Sequence, residues 1–272
     1  MAEEAELAPP GVDPKTPSSA RIYDYMLGGT NNFQADRDAL GEALLSGPEL
    51  QDIAWANRGF HQRSARWIAE RGIRQFIDIG SGLPTVGNTH EVVRQVIGDA
   101  RVAYVDIDPM VAAHSDALLA GDGGTRMITA DLRDPDAVLA APGLREVIDF
   151  SEPVGLVMTA VLHFVADDSD PWGLVARYMG ELAPGSYLAL SHATADNMPP
   201  MAAQAASSVY SNAFFMRTKS QVTRFFDGLE LVAPYTGADP AVVYAGLWGC
   251  EDPELADSDG SRWSYSGVAR RP

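Results

Sequence analysis

The alternation of apolar and polar positions divides the chain into three stretches. Residues 1 to 17 carry Pro9, Pro10, Pro14 and Pro17 among acids and few large apolar groups, which predicts a disordered or loosely attached tail. Between 18 and 72 the apolar positions recur at helical spacing. Ser18 or Ser19 caps a short helix running through Tyr25 and closed by Gly28 and Gly29; a second spans Asp36 to Leu45. A longer one spans Pro48 to Arg71, with Leu50, Ile53, Ala54, Phe60, Ala65, Trp67 and Ile68 as its apolar stripe. All three precede the first strand and so predict a helical cover. From 73 to 272 the rhythm becomes strand, helix, strand. Strands are predicted over 74–79, 102–105, 126–129, 153–160 and 186–191, with helices over 89–97, 109–120, 135–141 and 172–182 between them. Later, 199–210 reads as an alanine-rich helix, and Thr218 caps a helix over 221–226 with Gln221 completing a capping box. Strands at 228–234 and 265–269 close the chain as an antiparallel edge pair, and Trp248 and Trp263 pin the irregular stretch before the last one. The pattern predicts one α/β domain over 18–272 with a doubly wound, mostly parallel, seven-stranded sheet.

One junction concentrates the chemistry. The run Phe76, Ile77, Ile79 stops at Gly80 and Gly82, and the next strand ends in Asp106, twenty-eight positions after Asp78. A strand that turns tightly through glycines lets backbone approach a ligand, and a carboxylate at the tip of the next strand suits ribose hydroxyls. This predicts a nucleoside site. The dinucleotide glycine spacing is not met, because Thr85 stands where a further glycine is needed; no Tyr-x-x-x-Lys pair exists, since Lys occurs only at 15 and 219. A nicotinamide-dependent oxidoreductase is therefore disfavoured.

A net charge of −17 argues against a broad nucleic-acid footprint, which needs a clustered basic face. The single cysteine, Cys250, excludes an intrachain disulfide and a cysteine-rich metal site, and no combination of histidines and acids marks any other metal centre. No stretch is apolar for long enough to span a bilayer, and the start lacks a basic region, so a cytoplasmic protein is expected. The sequence leaves the oligomeric state open.

Three segments, Phe76-Ile-Asp-Ile-Gly-Ser-Gly82, Val105-Asp-Ile-Asp-Pro109 and Thr129-Ala-Asp-Leu-Arg133, together resemble the nucleotide-site motifs of class I S-adenosylmethionine-dependent methyltransferases. With Ala20-Arg-Ile-Tyr-Asp-Tyr-Met-Leu-Gly-Gly-Thr-Asn-Asn-Phe33 added, the chain resembles an actinobacterial S-adenosyl methyltransferase family once labelled a domain of unknown function. The resemblance implies a Rossmann-like sheet and S-adenosylmethionine as methyl donor, with S-adenosylhomocysteine as product. It places Asp78 near the donor's ammonium, Gly80 and Gly82 against methionine and ribose, and Asp106 on the ribose hydroxyls. Ile107 then lies on the adenine, Asp131 takes the adenine amino group, and Leu132 supplies an amide and an apolar wall. Asp108 competes with Asp106 for the ribose, and Leu83-Pro84-Thr85 replaces the usual third glycine.

Within the N-terminal signature, Arg21, Tyr23, Asp24 and Asn31 are expected to line a pocket, because such groups are costly to bury without partners. Arg21 is also a candidate for the donor's carboxylate, which suits a guanidinium fork. On the acceptor side, the ends of the fourth and fifth strands offer His163 and His192 as base or acceptor-contact candidates, while Thr159, at the fourth-strand end near the expected methyl, is read as a donor-binding residue. His61, His90 and His114 fall on predicted helices and read as packing or surface residues. The segment 197–217, with Met198, Met201, Tyr210, Phe214, Phe215 and Met216, is the expected roof over a small, partly apolar acceptor. A module that holds the nucleoside without transferring a methyl group is the alternative.

Overall fold

The computed structural model describes residues 8–85, 87–119, 121–210 and 213–272. Residues 1–7 of the expected tail, Ala120 at the end of a predicted helix, and Ser211 and Asn212 in the expected roof lie outside them. Eight strands among the described residues form one sheet: β1 (Gln75–Ile79), β2 (Arg101–Asp106), β3 (Thr125–Thr129), β4 (Gly155–Thr159), β5 (Tyr187–Ala193), β6 (Glu230–Leu231), β7 (Val243–Tyr244) and β8 (Ser264–Arg270). Their order is β3-β2-β1-β4-β5-β8-β6, with β7 on β8. The first five pair in parallel, and β8 runs antiparallel between β5 and β6. All of β1 is buried, as expected of a central parallel strand covered on both faces, which explains why its sequence is a run rather than an alternation. The predicted strand over 228–234 shrinks to the two residues of β6, because only Glu230 and Leu231 find partners on β8.

Eleven α-helices are placed among the described residues: α1 (Ser19–Met26), α2 (Gln34–Leu44), α3 (Leu50–Ala69), α4 (Thr89–Arg94), α5 (Pro109–Leu118), α6 (Pro135–Ala140), α7 (Pro142–Val147), α8 (Pro171–Glu181), α9 (Pro200–Val209), α10 (Lys219–Thr223) and α11 (Pro253–Ala256). Asp-Pro opens four of them. Asp108, Asp134, Asp170 and Asp252 each accept a first-turn amide at the N-cap, while the proline occupies the next position, where a missing N–H costs nothing.

One face of the sheet (Phe76, Val102, Val157, Ala189, Val268) packs on Phe60, Ala65 and Ile68 of α3 and on Trp248. Trp248 stands edge-on to Phe60 at 5.6 Å and to Trp67 at 5.7 Å, which anchors the irregular stretch before β8. The other face (Ile77, Ile79, Val105, Leu156, Met158, Leu190) packs on α6, α7, α8 and Phe225. A separate apolar cluster joins α1, α2, the start of α3 and α9 through Ile22, Leu40, Leu50, Ala54, Met198, Ala202 and Trp263. The long helix α3 therefore does two jobs: its first turns belong to the cover, and its last turns form a layer of the sheet. That arrangement hangs the cover over the carboxyl ends of β1, β2, β4 and β5. No helix among the described residues is long and apolar enough to cross a membrane.

Candidate functional site

At the end of β1 the chain turns through Gly80 (φ 71°) and Gly82 (φ 65°), a backbone region that side-chain-bearing residues rarely adopt. A Cβ on Gly80 would lie 2.2 Å from Val161 Cγ2, whereas one on Gly82 would meet nothing within 4 Å. The first glycine therefore lets the turn pass the β4 loop, and the second faces open space. The replacement of the third glycine now has a physical account. Leu83 is buried with Phe33, Met110 and Val111, and Thr85 accepts from Arg58 Nη2 (2.7 Å) while its amide donates to Asn88 Oδ1 (3.0 Å). Side chains hold this loop, so glycine is not needed.

The turn opens on a cavity of about 640 Å³. Asp106 sits on its wall: Oδ2 accepts from the Gly82 amide (2.9 Å) and Oδ1 from the Asp108 amide (2.9 Å), leaving one lone pair on each oxygen. Burial, helped by the Asp108 charge, raises its carboxyl above the usual carboxylate range, and the backbone amides of Asp108, Gly82 and Ile107 oppose that. Asp108 is committed elsewhere, its Oδ1 capping α5 through the Met110 amide (2.8 Å) and its Oδ2 accepting from Ser18 Oγ (2.6 Å). Counted the same way, Asp108 also keeps a lone pair on each oxygen; what sets Asp106 apart is that it is bonded to the glycine turn itself. Next to it Ile107 is 58% exposed on the cavity wall, an unusual position for isoleucine unless something apolar covers it. Asp131 and Leu132 line the same end; Arg133 grips Asp131 through Nε and Nη2 (3.0 and 2.6 Å) and holds its carboxyl below the usual range.

The N-terminal signature is only partly a site. Tyr23 reaches the cavity, its hydroxyl accepting from Asn57 Nδ2 (2.7 Å) and donating to the Ala54 carbonyl (3.2 Å). Arg21 also lines it, yet its Nε pairs with the buried Asp36 (2.8 Å) and its Nη2 donates to the Thr16 carbonyl. Much of that guanidinium is thus occupied in tying the 8–18 segment down. Gly11, Val12 and Asp13 of that segment form part of the cavity rim, rather than hanging loose as expected of a tail. Asn31 does not line the cavity: its amide donates to Asp24 Oδ2 (2.9 Å). Asp24, likewise absent from the wall, folds the Gly28–Asn32 turn, and it approaches Gly29 so closely that a Cβ there would lie 2.1 Å from its carboxylate. The specific-looking motif is in good part a buried hinge.

Asp78 is behind the glycine turn, off the cavity wall, 3% exposed. Burial lifts its carboxyl to about 6 against the opposing hydrogen bond from Thr89 and the nearby charge of Arg58; Asp106 adds to the rise. It reaches the cavity through a residue read from the sequence as packing. His61 of α3 is buried, lines the cavity, and bonds Thr159 Oγ1 through Nδ1 (3.0 Å) and Thr89 Oγ1 through Nε2 (2.9 Å). Burial, then the Arg58 charge, push its imidazole down to about 3, so it is neutral. The available signal was its place on the buried side of α3, three positions after Arg58.

His163 lines the cavity from the short 3-10 turn after β4, edge-on to Phe164 at 4.5 Å and tilted against Phe214 at 4.6 Å. Burial, with His192 and Arg217 adding, drives its pKa well below the ordinary value, so it enters as a neutral imidazole able to accept a proton only weakly. His192 is fully buried and does not reach the cavity. Its Nδ1 meets the Ala193 carbonyl (2.8 Å) and its Nε2 accepts from Arg217 Nη1 (2.7 Å), leaving no nitrogen for a substrate. Arg217, 2% exposed, also holds the Leu162 and Val165 carbonyls and Asp167, and so fixes the turn that carries His163. His192 is therefore a support for that turn rather than a base. Phe164, Tyr210, Phe214, Met198 and Val209 close the far end of the cavity; of the other residues expected in the roof, Met201 is 70% exposed, and neither it nor Phe215 nor Met216 lines the cavity.

Comparison with known proteins gives this geometry a family context. The family model described as S-adenosyl methyltransferase matches residues 5–272. Among curated proteins, none matches the chain. Of solved structures, a DUF574 family protein from Streptomyces avermitilis is 39% identical, covering 96% of this chain and 99% of its own, with a TM-score of 0.88. A provisionally assigned methyltransferase from Thermobifida fusca is 42% identical, covering 97% and 98%, also with a TM-score of 0.88. An O-methyltransferase family protein from Burkholderia thailandensis, 14% identical over 94% of this chain and 64% of its own, shares the fold at a TM-score of 0.51.

Proposed function

We propose, from the premise that this chain belongs to the S-adenosyl methyltransferase family and uses S-adenosylmethionine as methyl donor, that it methylates a small, partly apolar molecule by direct in-line transfer. One observation carries the reading: a single cavity runs from the glycine turn and Asp106 to a compartment walled by Phe164, Tyr210, Phe214 and Met198. Its 640 Å³ falls among small-ligand sites, which span roughly 300–1,000 Å³. The residues fit the donor. Ser81 Oγ is buried in the turn without a partner, Gly82 faces open space, and Ile107 offers an uncovered apolar face.

When bound, S-adenosylmethionine supplies an electrophilic methyl group on a sulfonium. Asp106 takes the two ribose hydroxyls on its free lone pairs, Ile107 and Leu132 sandwich the adenine, and Asp131 receives its amino group. Gly80 and Gly82 bring the backbone against the methionine portion, and Arg58 and Arg21, which line the cavity, are the cations offered to its carboxylate. The cover and the aromatic end exclude water and hold the nucleophile in line, which is the main contribution a protein makes to such a displacement. A binding module without transfer has no need of a compartment beyond the nucleoside end, and here that compartment is present.

Isothermal titration of the protein with S-adenosylmethionine and S-adenosylhomocysteine tests the binding half. A screen of hydroxylated and aminated aromatic compounds for S-adenosylhomocysteine formation tests the transfer half. Absence of a saturable signal for either nucleoside in folded protein would sink the proposal, and binding without turnover of any acceptor would favour the module.

A further inference from the structure

We propose that Asp78, Thr89, His61 and Thr159 form a one-directional hydrogen-bond relay that makes the Thr159 hydroxyl the proton acceptor for the nucleophilic O–H or N–H of the methyl acceptor. This deepens the methyl-transfer reading and rests on it. The four groups are in sequence: Asp78 Oδ2 to Thr89 Oγ1 is 2.6 Å, Thr89 Oγ1 to His61 Nε2 is 2.9 Å, and His61 Nδ1 to Thr159 Oγ1 is 3.0 Å. Asp78, Thr89 and His61 are buried, and only Thr159 and His61 touch the cavity.

Hydrogen-bond chemistry gives this chain a direction. An ionised carboxylate only accepts, so the Thr89 hydroxyl spends its one proton on Asp78. Its oxygen must then accept from His61, which places the imidazole proton on Nε2. A neutral imidazole has one proton, so Nδ1 is bare and accepts the Thr159 hydroxyl. Thr159 is left presenting lone pairs to the cavity. The groups facing Asp78 are Arg58 from α3, Tyr104 from β2 and Asp106 at the β2 tip, besides Thr89 and His61. Its lifted pKa makes it a better proton sink than an ordinary carboxylate.

The step balances. The nucleophile's lone pair forms the bond to the methyl carbon as the carbon–sulfur bond breaks, its electron pair staying on sulfur. The nucleophile's proton passes to Thr159 Oγ1, that of Thr159 to His61 Nδ1, that of His61 Nε2 to Thr89, and that of Thr89 to Asp78. His61 ends in the other tautomer, Asp78 ends neutral, and the positive charge lost at sulfur matches the negative charge lost at Asp78. The substrate class follows: the acceptor carries a proton on its nucleophile, as alcohols, phenols and primary or secondary amines do, and as tertiary amines and thioethers do not. Holding the carboxylate three hydrogen bonds back also keeps it from being methylated itself.

The test begins in the ligand-free protein with ¹⁵N-histidine NMR, His61 being assigned by its loss in His61→Gln. The expected result is the Nε2–H tautomer in the wild type, its conversion to Nδ1–H in Thr89→Val, and its restoration in Thr89→Ser. An Nδ1–H tautomer in the wild type, or no change in Thr89→Val, overturns the relay. In parallel, Thr159→Val is titrated with S-adenosylmethionine. Affinity within about threefold of wild type supports the assignment to the acceptor, whereas a loss of about tenfold or more, the size of a lost hydrogen bond to a charged group, overturns it and gives the hydroxyl to the donor's ammonium. Failure of the wild type to bind the donor overturns the methyl-transfer reading itself; a wrong tautomer in a protein that binds it overturns the relay alone.

Discussion

Replacing Asp106 with alanine separates a ligand carboxylate from a structural one. In the fold, both oxygens of Asp106 already accept a backbone amide at 2.9 Å, from Gly82 and from Asp108, and each retains a lone pair on the cavity side. A hydrogen bond to a charged group contributes about 1.5–3 kcal/mol, so two ribose hydroxyls together contribute roughly 3–6 kcal/mol. At about 1.4 kcal/mol per factor of ten, Asp106→Ala weakens S-adenosylmethionine binding by roughly 10²–10⁴-fold. Loss of the Gly82 contact loosens the turn and adds to the effect. Asp108→Ala is the control: it removes the α5 cap, costing about 0.5–2 kcal/mol of stability, but leaves affinity within about threefold. Isothermal titration reads the affinities, and thermal denaturation reads the stabilities. If Asp106→Ala binds within about threefold of wild type, or if Asp108→Ala loses more affinity than Asp106→Ala, the assignment of the ribose to Asp106 is wrong.

Two further outcomes follow from buried charge. Asp36→Ala leaves Arg21 buried without its ion-pair partner and removes the acceptor for the Ser18 and Phe33 amides, so it should destabilise the protein by about 3–5 kcal/mol, measured by urea unfolding; a change below about 1 kcal/mol would show that the pair is dispensable. Asp78 titrates near 6 in the folded chain against about 3.8 in the unfolded one, so the folded state holds the proton more tightly. That contribution favours folding fully below pH 3.8 and is lost as the pH rises through 6. Since one pK unit corresponds to about 1.4 kcal/mol, the wild type should lose up to roughly 3 kcal/mol of stability relative to Asp78→Asn between about pH 4 and 6.5. A pH-independent difference between the two would refute the lifted value.

The strand and helix rhythm was legible because it rests on local properties. Runs such as Phe76–Ile79 and Leu188–Leu190, short and bounded by Gly80 or by Pro184 and Gly185, read as buried strands, and Asp-Pro pairs open helices by satisfying first-turn amides in place. The glycine turn, Asp106 and Ile107 were legible for the same reason, lying within a few residues of a strand end. The readings that changed were those where two distant segments had to meet. His192 looked available until Arg217, twenty-five residues on, took its second nitrogen. His61 looked like packing until β4 and α4 brought Thr159 and Thr89 to its two nitrogens. Asn31 looked like a ligand group, yet it lies off the cavity wall, in a turn that Asp24 closes by accepting its backbone N–H.

The sequence by itself determined the sheet and the family and pointed to the glycine turn and Asp106, since each is written in short-range patterns of burial, turn geometry and charge. Tertiary structure decided which polar groups remain free. A buried histidine or arginine is available for chemistry only if no other segment satisfies its hydrogen bonds, and for His61, His163 and His192 those segments lie far along the chain. The far end of the cavity is of the same kind, because α1, α3, α9 and the turn after β4 enclose it only when the cover is docked on the sheet.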